Sequence, residues 1–208
     1  MRLALCAILV FCALSGSAYA TTIYTDQASF LAAIAPGYYL ENFTTFSDGD
    51  PLGGDPSPTE YQSSTVNGFS WTLTAPDGLW SLQNGVSAAY PLENLTITFT
   101  GAPVKAVGGV FSATDYVGDV IPTASVVVTL ADGTNRTVLG SGFVGFTSTT
   151  AITSLRITPL ETAEGNWSAF RGLYTGVGSV PEPASILSLV MGVVGIASTA
   201  GLRRLRRS

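Results

Sequence analysis

Several residue types that do chemistry in proteins are scarce in this chain of 208 residues. It has no histidine, which excludes a His-assisted serine or cysteine nucleophile and a His-ligated zinc site. Carboxylates are the acid–base groups that remain. Two of them facing one cleft could cleave a glycoside, and Glu41, Glu60, Glu93 and Asp115 are the candidates, although nothing in the local sequence pairs them. In SDGDPLGGD, Asp48 and Asp50 have the spacing of the first ligands of a calcium loop. Leu52 and Thr59 then stand where that loop needs an oxygen ligand and a glutamate, so the EF-hand pattern fails. A looser calcium site drawn from Asp48, Asp50 and Asp55, or from Asp115 and Asp119, is the metal chemistry left open. No glycine-rich loop follows a strand and opens a helix, so nucleotide binding has no support. Aromatic rings beside loops can stack on sugars. Tyr61 and Trp80 are the better carbohydrate candidates, whereas Trp71 alternates with threonines and belongs in a core.

The elements that would position these residues read as β structure. In FSWTLTA, Phe69, Trp71 and Leu73 alternate with Ser70, Thr72 and Thr74; in LTITFT, Leu95, Ile97 and Phe99 alternate with threonines. A period of two marks strands with one buried face. ASVVVTLADGTNRTVLG reads as a hairpin turning at Asp132-Gly133. Further strands are expected near 38–43, 104–112, 142–147, 152–158 and 168–175, eight to ten in all. One short helix is expected. Asp26 is its N-cap, QASFLAAIA its body with Phe30, Leu31 and Ile34 toward the core, and Pro36-Gly37 its stop. The expected fold is therefore all-β, an antiparallel sandwich of jelly-roll-like type, with that helix across one end.

Both ends of the chain read as targeting segments. Met1-Arg2, an apolar stretch from Leu3 to Leu14, and Ala18-Tyr19-Ala20 form a signal peptide over residues 1–20, with cleavage expected after Ala20. The only cysteines, Cys6 and Cys12, lie inside it, so the exported domain at 21–178 is expected to fold without disulfides. That domain holds thirteen acids against Lys105, Arg136, Arg156 and Arg171, a net charge of −9. Such a surface argues against nucleic acid as a partner, and none is expected. At the other end, Ala184 to Leu202 is nineteen uncharged residues, about 28 Å of helix at ~1.5 Å per residue, enough to cross a bilayer. Arg203, Arg204, Arg206 and Arg207 follow and are expected to stay in the cytoplasm, which leaves the domain outside. Pro181 and Pro183 hold the entrance to this span extended, and Glu182 marks its outer boundary.

The order Val180-Pro181-Glu182-Pro183, apolar span, arginine-rich end resembles the PEP-CTERM sorting signal of Gram-negative bacteria, here over residues 179–208. The resemblance implies an exosortase as processing partner. It implies an intermediate anchored in the inner membrane, then release to the cell surface or to an extracellular matrix rich in exopolysaccharide. The two terminal signals, the alternating strands and the missing histidine together lead to the expectation of a non-enzymatic structural or adhesive role for the domain in a biofilm; the alternative is a carbohydrate- or calcium-binding module. More loosely, Phe30 with Ala33, Glu41 with Phe43, and the stretch Pro103 to Asp115 resemble a β-sandwich found in exosortase substrates. The chain departs from it at Phe170-Arg171, where that pattern has an Asp-Asn pair.

Overall fold

The computed structural model describes residues 20–44, 58–160 and 165–178, all within one compact unit. The signal peptide through Tyr19, the acidic segment with Asp48, Asp50 and Asp55, and the whole sorting segment from Ser179 lie outside the described residues. Among the described residues no helix is long and apolar enough to cross a membrane.

Thirteen strands and one helix are described. In chain order they are β1 (Thr21–Tyr24), α1 (Gln27–Ala32), β2 (Tyr39–Glu41), β3 (Glu60–Gln62), β4 (Trp71–Thr74), β5 (Leu79–Leu82) and β6 (Gly85–Ala88). Then come β7 (Leu95–Phe99), β8 (Ala106–Thr114), β9 (Ser125–Leu130), β10 (Asn135–Leu139), β11 (Ser141–Ser148), β12 (Ser154–Pro159) and β13 (Trp167–Gly176). They build two antiparallel sheets. One has seven strands in the order β1-β11-β8-β13-β6-β5, with β2 also on β13; the other has six in the order β10-β9-β12-β7-β4-β3. This is a β-sandwich. The chain crosses between sheets repeatedly, so each sheet is tied by contacts distant in sequence.

The expected alternation places the core. Trp71, Leu73, Leu95, Ile97, Val126, Val128, Leu155 and Ile157 from the six-stranded sheet meet Val86, Val107, Phe111, Phe146, Phe170 and Leu173 from the other. Thr72, Thr74 and Thr96 are only half-buried, on the opposite face. Phe43 sits between the two layers, edge-on to Phe170 at 5.3 Å and to Trp71 at 6.0 Å. Burying each such ring contributes about 1.5–3 kcal/mol of hydrophobic stabilisation, and because the described residues contain no cysteine, no disulfide shares that load among them.

Two expectations are corrected. Thirteen strands exceed the expected eight to ten: β1 and β3 are short strands of four and three residues at sheet edges, and β5, LWSL, and β6, GVSA, lack alternation, β6 being buried throughout and β5 nearly so. Buried strands lose the period of two by which strands are recognised. The helix does begin as expected, with the Asp26 carboxylate accepting from Ser29 N–H at 2.8 Å, which holds that carboxyl below its usual range. It does not lie across one end of the sandwich. It rests on the outer face of the seven-stranded sheet, where Phe30 packs over the paired glycines Gly108 and Gly145. Phe30, Ile34 and Ala106 form a cluster of their own, walled by Tyr24, Leu31, Phe143 and Tyr174. Only a position without a Cβ lets the ring approach the sheet that closely.

Candidate functional site

The helix and β13 together shape the outer face of the seven-stranded sheet. Strand β13 is ten residues long, and its edge is shared end to end by two short partners. Its first half pairs β6, with Phe170 opposite Val86 and Arg171 opposite Gly85. Its second half pairs β2, with Leu173 opposite Glu41 and Tyr174 opposite Leu40. Between the halves the register slips at a bulge, and Gly172 adopts φ +60° there. A bulge adds a residue to one strand and locally breaks the ladder. The result is a notch in the sheet at Gly172, between the end of β2 and the start of β6.

An open groove of about 360 Å³ occupies the notch. Its apolar lining is Leu40, Val110 and Gly172. Its polar lining comes from four places: Gln27 on α1, Asn42 and Thr44 after β2, Asn84 in the β5–β6 turn, and Arg171 with Tyr174 on β13. Asn84 holds φ +56°, a conformation asparagine tolerates better than most residues. Because Phe170 points into the core, its neighbour Arg171 emerges on the outer face. The guanidinium is steadied by two long contacts, Nε to the Gln83 carbonyl at 3.3 Å and Nη2 to the Gly118 carbonyl at 3.5 Å. Gln27 Nε2 donates to the Tyr174 hydroxyl at 2.6 Å. The Tyr174 ring leans on Tyr38 at 5.8 Å and Phe30 at 6.2 Å. Burial, then the neighbouring Tyr38, raises the Tyr174 phenol above its ordinary range. Among the described residues the lining contains no carboxylate, so Arg171 brings its sole formal charge.

The candidate residues from the sequence fall elsewhere. Tyr61 lies on β3, at the edge of the six-stranded sheet, and its ring packs on Trp71 at 5.7 Å. Burial, reinforced by Glu41, raises its phenol pKa. Trp80 is on β5, at the edge of the other sheet, opposite Ser87 and half-buried. The two rings are therefore on different sheets. Trp71 is in the core with no exposed surface.

The four carboxylates proposed as a glycosidase set are also dispersed. Glu41, opposite the inward-facing Leu173, accepts from the Tyr39 hydroxyl and from Phe43 N–H at 3.0 Å. It thereby fixes the turn at Phe43, whose φ is +54°. Asp115 accepts from Val117 N–H and Asp119 N–H, each at 3.0 Å, and closes its own turn. Glu60 lies on the outer face of the six-stranded sheet, in a lateral row with Thr74, Thr96 and Arg156 that lines a second open groove of about 390 Å³. Glu93 is hydrogen-bonded to Asp77, a carboxyl pair that no spacing in the sequence foreshadows. Desolvation, then the Asp77 carboxyl, pushes Glu93 up to about 7, and its Oε2 is shut from solvent without a hydrogen-bond partner. Among the described residues no group of three or more acids stands close enough to hold a metal ion. The three aspartates at 48, 50 and 55 lie outside the described residues.

No family model matches the chain, and no curated protein matches it. Among solved structures, a family two carbohydrate esterase from Cellvibrio japonicus aligns at 10% identity with a TM-score of 0.30. The alignment covers 79% of this chain and 36% of that one, so the chain spans about a third of its length. At that TM-score the likeness carries no argument about fold or function.

Proposed function

We propose that the chain is an exported substrate of an exosortase, held briefly in the inner membrane by its C-terminal span and then released to the cell surface or extracellular matrix. The observation that carries this reading is the order Val180-Pro181-Glu182-Pro183, uncharged span, four arginines in one stretch. A signal peptide ending at Ala18-Tyr19-Ala20 demands the same orientation independently. The β-sandwich then acts outside the cell without catalysis, in a structural or adhesive role within an exopolysaccharide matrix. The absence of histidine from the sequence and the dispersal of Glu41, Glu60, Glu93 and Asp115 support the non-enzymatic part.

Intact-mass analysis of the membrane and secreted fractions tests the reading. Released protein is expected to begin after Ala20 and to lack everything near and beyond Pro183. A population that keeps Arg203 to Arg207 and stays wholly in the membrane would leave a permanent anchor instead, and Glu182→Ala would then change nothing. Of the alternative, a carbohydrate- or calcium-binding module, the carbohydrate form has one specific observation in its favour: the groove beside Arg171.

A further inference from the structure

We propose that the groove at the β13 bulge binds a carboxylate-bearing sugar unit of an acidic polysaccharide, with Arg171 taking the carboxylate. The assignment rests on the adhesive reading of the domain and is independent of how the tail is processed.

Charge comes first. The domain at 21–178 carries thirteen acids and four cations, yet the described lining of this groove has Arg171 and no acid. A half-buried guanidinium on an otherwise anionic molecule is a local attractor for one negative charge. Its two contacts to the Gln83 and Gly118 carbonyls engage two of the five N–H donors and fix the plane of the fork. The three donors left suit the two oxygens of a carboxylate, the geometry in which arginine excels over lysine.

Shape and polarity fit a pyranose ring. Leu40, Val110 and Gly172 give an apolar floor for a sugar face, and Tyr174 supplies an aromatic edge. Asn42 uses its Oδ1 on the Thr44 N–H and hydroxyl, at 3.3 and 3.0 Å, which leaves its amide N–H groups for ring hydroxyls. Asn84 is exposed in its turn and offers both a donor and an acceptor. A few placed polar groups around an apolar floor is the general form of a ligand site. The groove is open rather than enclosed, so a polymer can run through it, and one charge per sugar matches one guanidinium.

The test uses the full chain in detergent, titrated calorimetrically with a galacturonic acid trisaccharide and with the neutral galactose trisaccharide. The acidic sugar is expected to bind about tenfold or more tightly than the neutral one, the scale of one charge-assisted hydrogen-bonded contact. Raising salt from about 0.05 to 0.5 M should narrow the gap. Arg171→Gln should abolish the preference. Asn84→Gly removes the amide while keeping a residue at ease with positive φ, so it should weaken both sugars with the melting temperature intact. Equal affinity for the two sugars, or acidic binding indifferent to both variants, would overturn the assignment while leaving the adhesive reading in place. No binding of either sugar would overturn both, and neither result touches the cleavage test of the tail.

Discussion

Replacing Glu93 by glutamine is expected to stabilise the protein at alkaline pH and to remove a pH dependence that the wild type shows. In the native fold Glu93 is hydrogen-bonded to Asp77 and its carboxyl is pushed from 4.5 to about 7, by desolvation first and by Asp77 second. In the unfolded chain it titrates near the ordinary value. Below about pH 4.5 both states hold the proton and the pair is bonded at no electrostatic cost. As pH rises from there to about 7, the unfolded chain gives up its proton first, so the folded state binds more protons and stability falls. Above about 7 the loss is complete and two carboxylates face each other. At about 1.36 kcal/mol per pH unit, moving from 4.5 to about 7 corresponds to roughly 3 kcal/mol. Solvent reaches part of this pair, and screening reduces the effect to about 1–2 kcal/mol. For a domain of this size that is a melting-temperature difference of roughly 2–8 °C at pH 8. The assay is a series of thermal melts by circular dichroism from pH 4.5 to 8.5, read as the Glu93→Gln minus wild-type difference. The difference should be near zero or negative at the acid end and grow positive through pH 7. A difference that is flat with pH, or a glutamine variant less stable at pH 8, would refute the proton-sharing account.

Two further substitutions probe other parts of the structure. Glu41→Ala removes the carboxylate that accepts from the Tyr39 hydroxyl and the Phe43 N–H, and should cost about 1–2 kcal/mol in a denaturant titration, with Glu41→Gln recovering part of it. Gly145→Ala puts a methyl group where the Phe30 ring lies on the sheet, and should cost about 1–3 kcal/mol. Phe30→Ala in the same background should make the added methyl nearly neutral, because the clash partner is gone; an additive double-mutant cycle would contradict that packing.

Much of the scaffold was legible because its strands are half-buried. Trp71, Leu73, Leu95 and Ile97 alternate with polar residues, a pattern that by itself points them inward, and all four are fully buried. Capping chemistry fixed the start of the helix at Asp26 for the same reason: a short-range bond needs only local sequence. The helix's resting place was not legible, because it depends on Gly108 and Gly145 lying side by side from strands far apart in the chain. The same limit hid the Glu93–Asp77 pair and the groove. Gln27, Asn42, Asn84 and Arg171 come from four separated segments, and no local pattern links them. The departure at Phe170-Arg171 from the sandwich pattern that the sequence loosely resembles is visible in the sequence, but its consequence is not: an arginine at the mouth of a notch.

That notch follows from the division of labour along β13. Phe170 and Leu173 both anchor in the core, so the strand cannot shift to close the gap between them. A regular strand would put one residue between two inward side chains; here Arg171 and Gly172 both intervene, and the bulge is the backbone's way of accommodating the extra one. Neither β2 nor β6 can then extend along the whole edge, because the register that suits one half fails in the other. The break is thus held by fully buried side chains, whereas Asn42 and Asn84 sit on connections beside it. Residues on connections can be exchanged without disturbing Trp71, Phe111 or Phe170 beneath, so what the groove recognises can change while the sandwich stays the same.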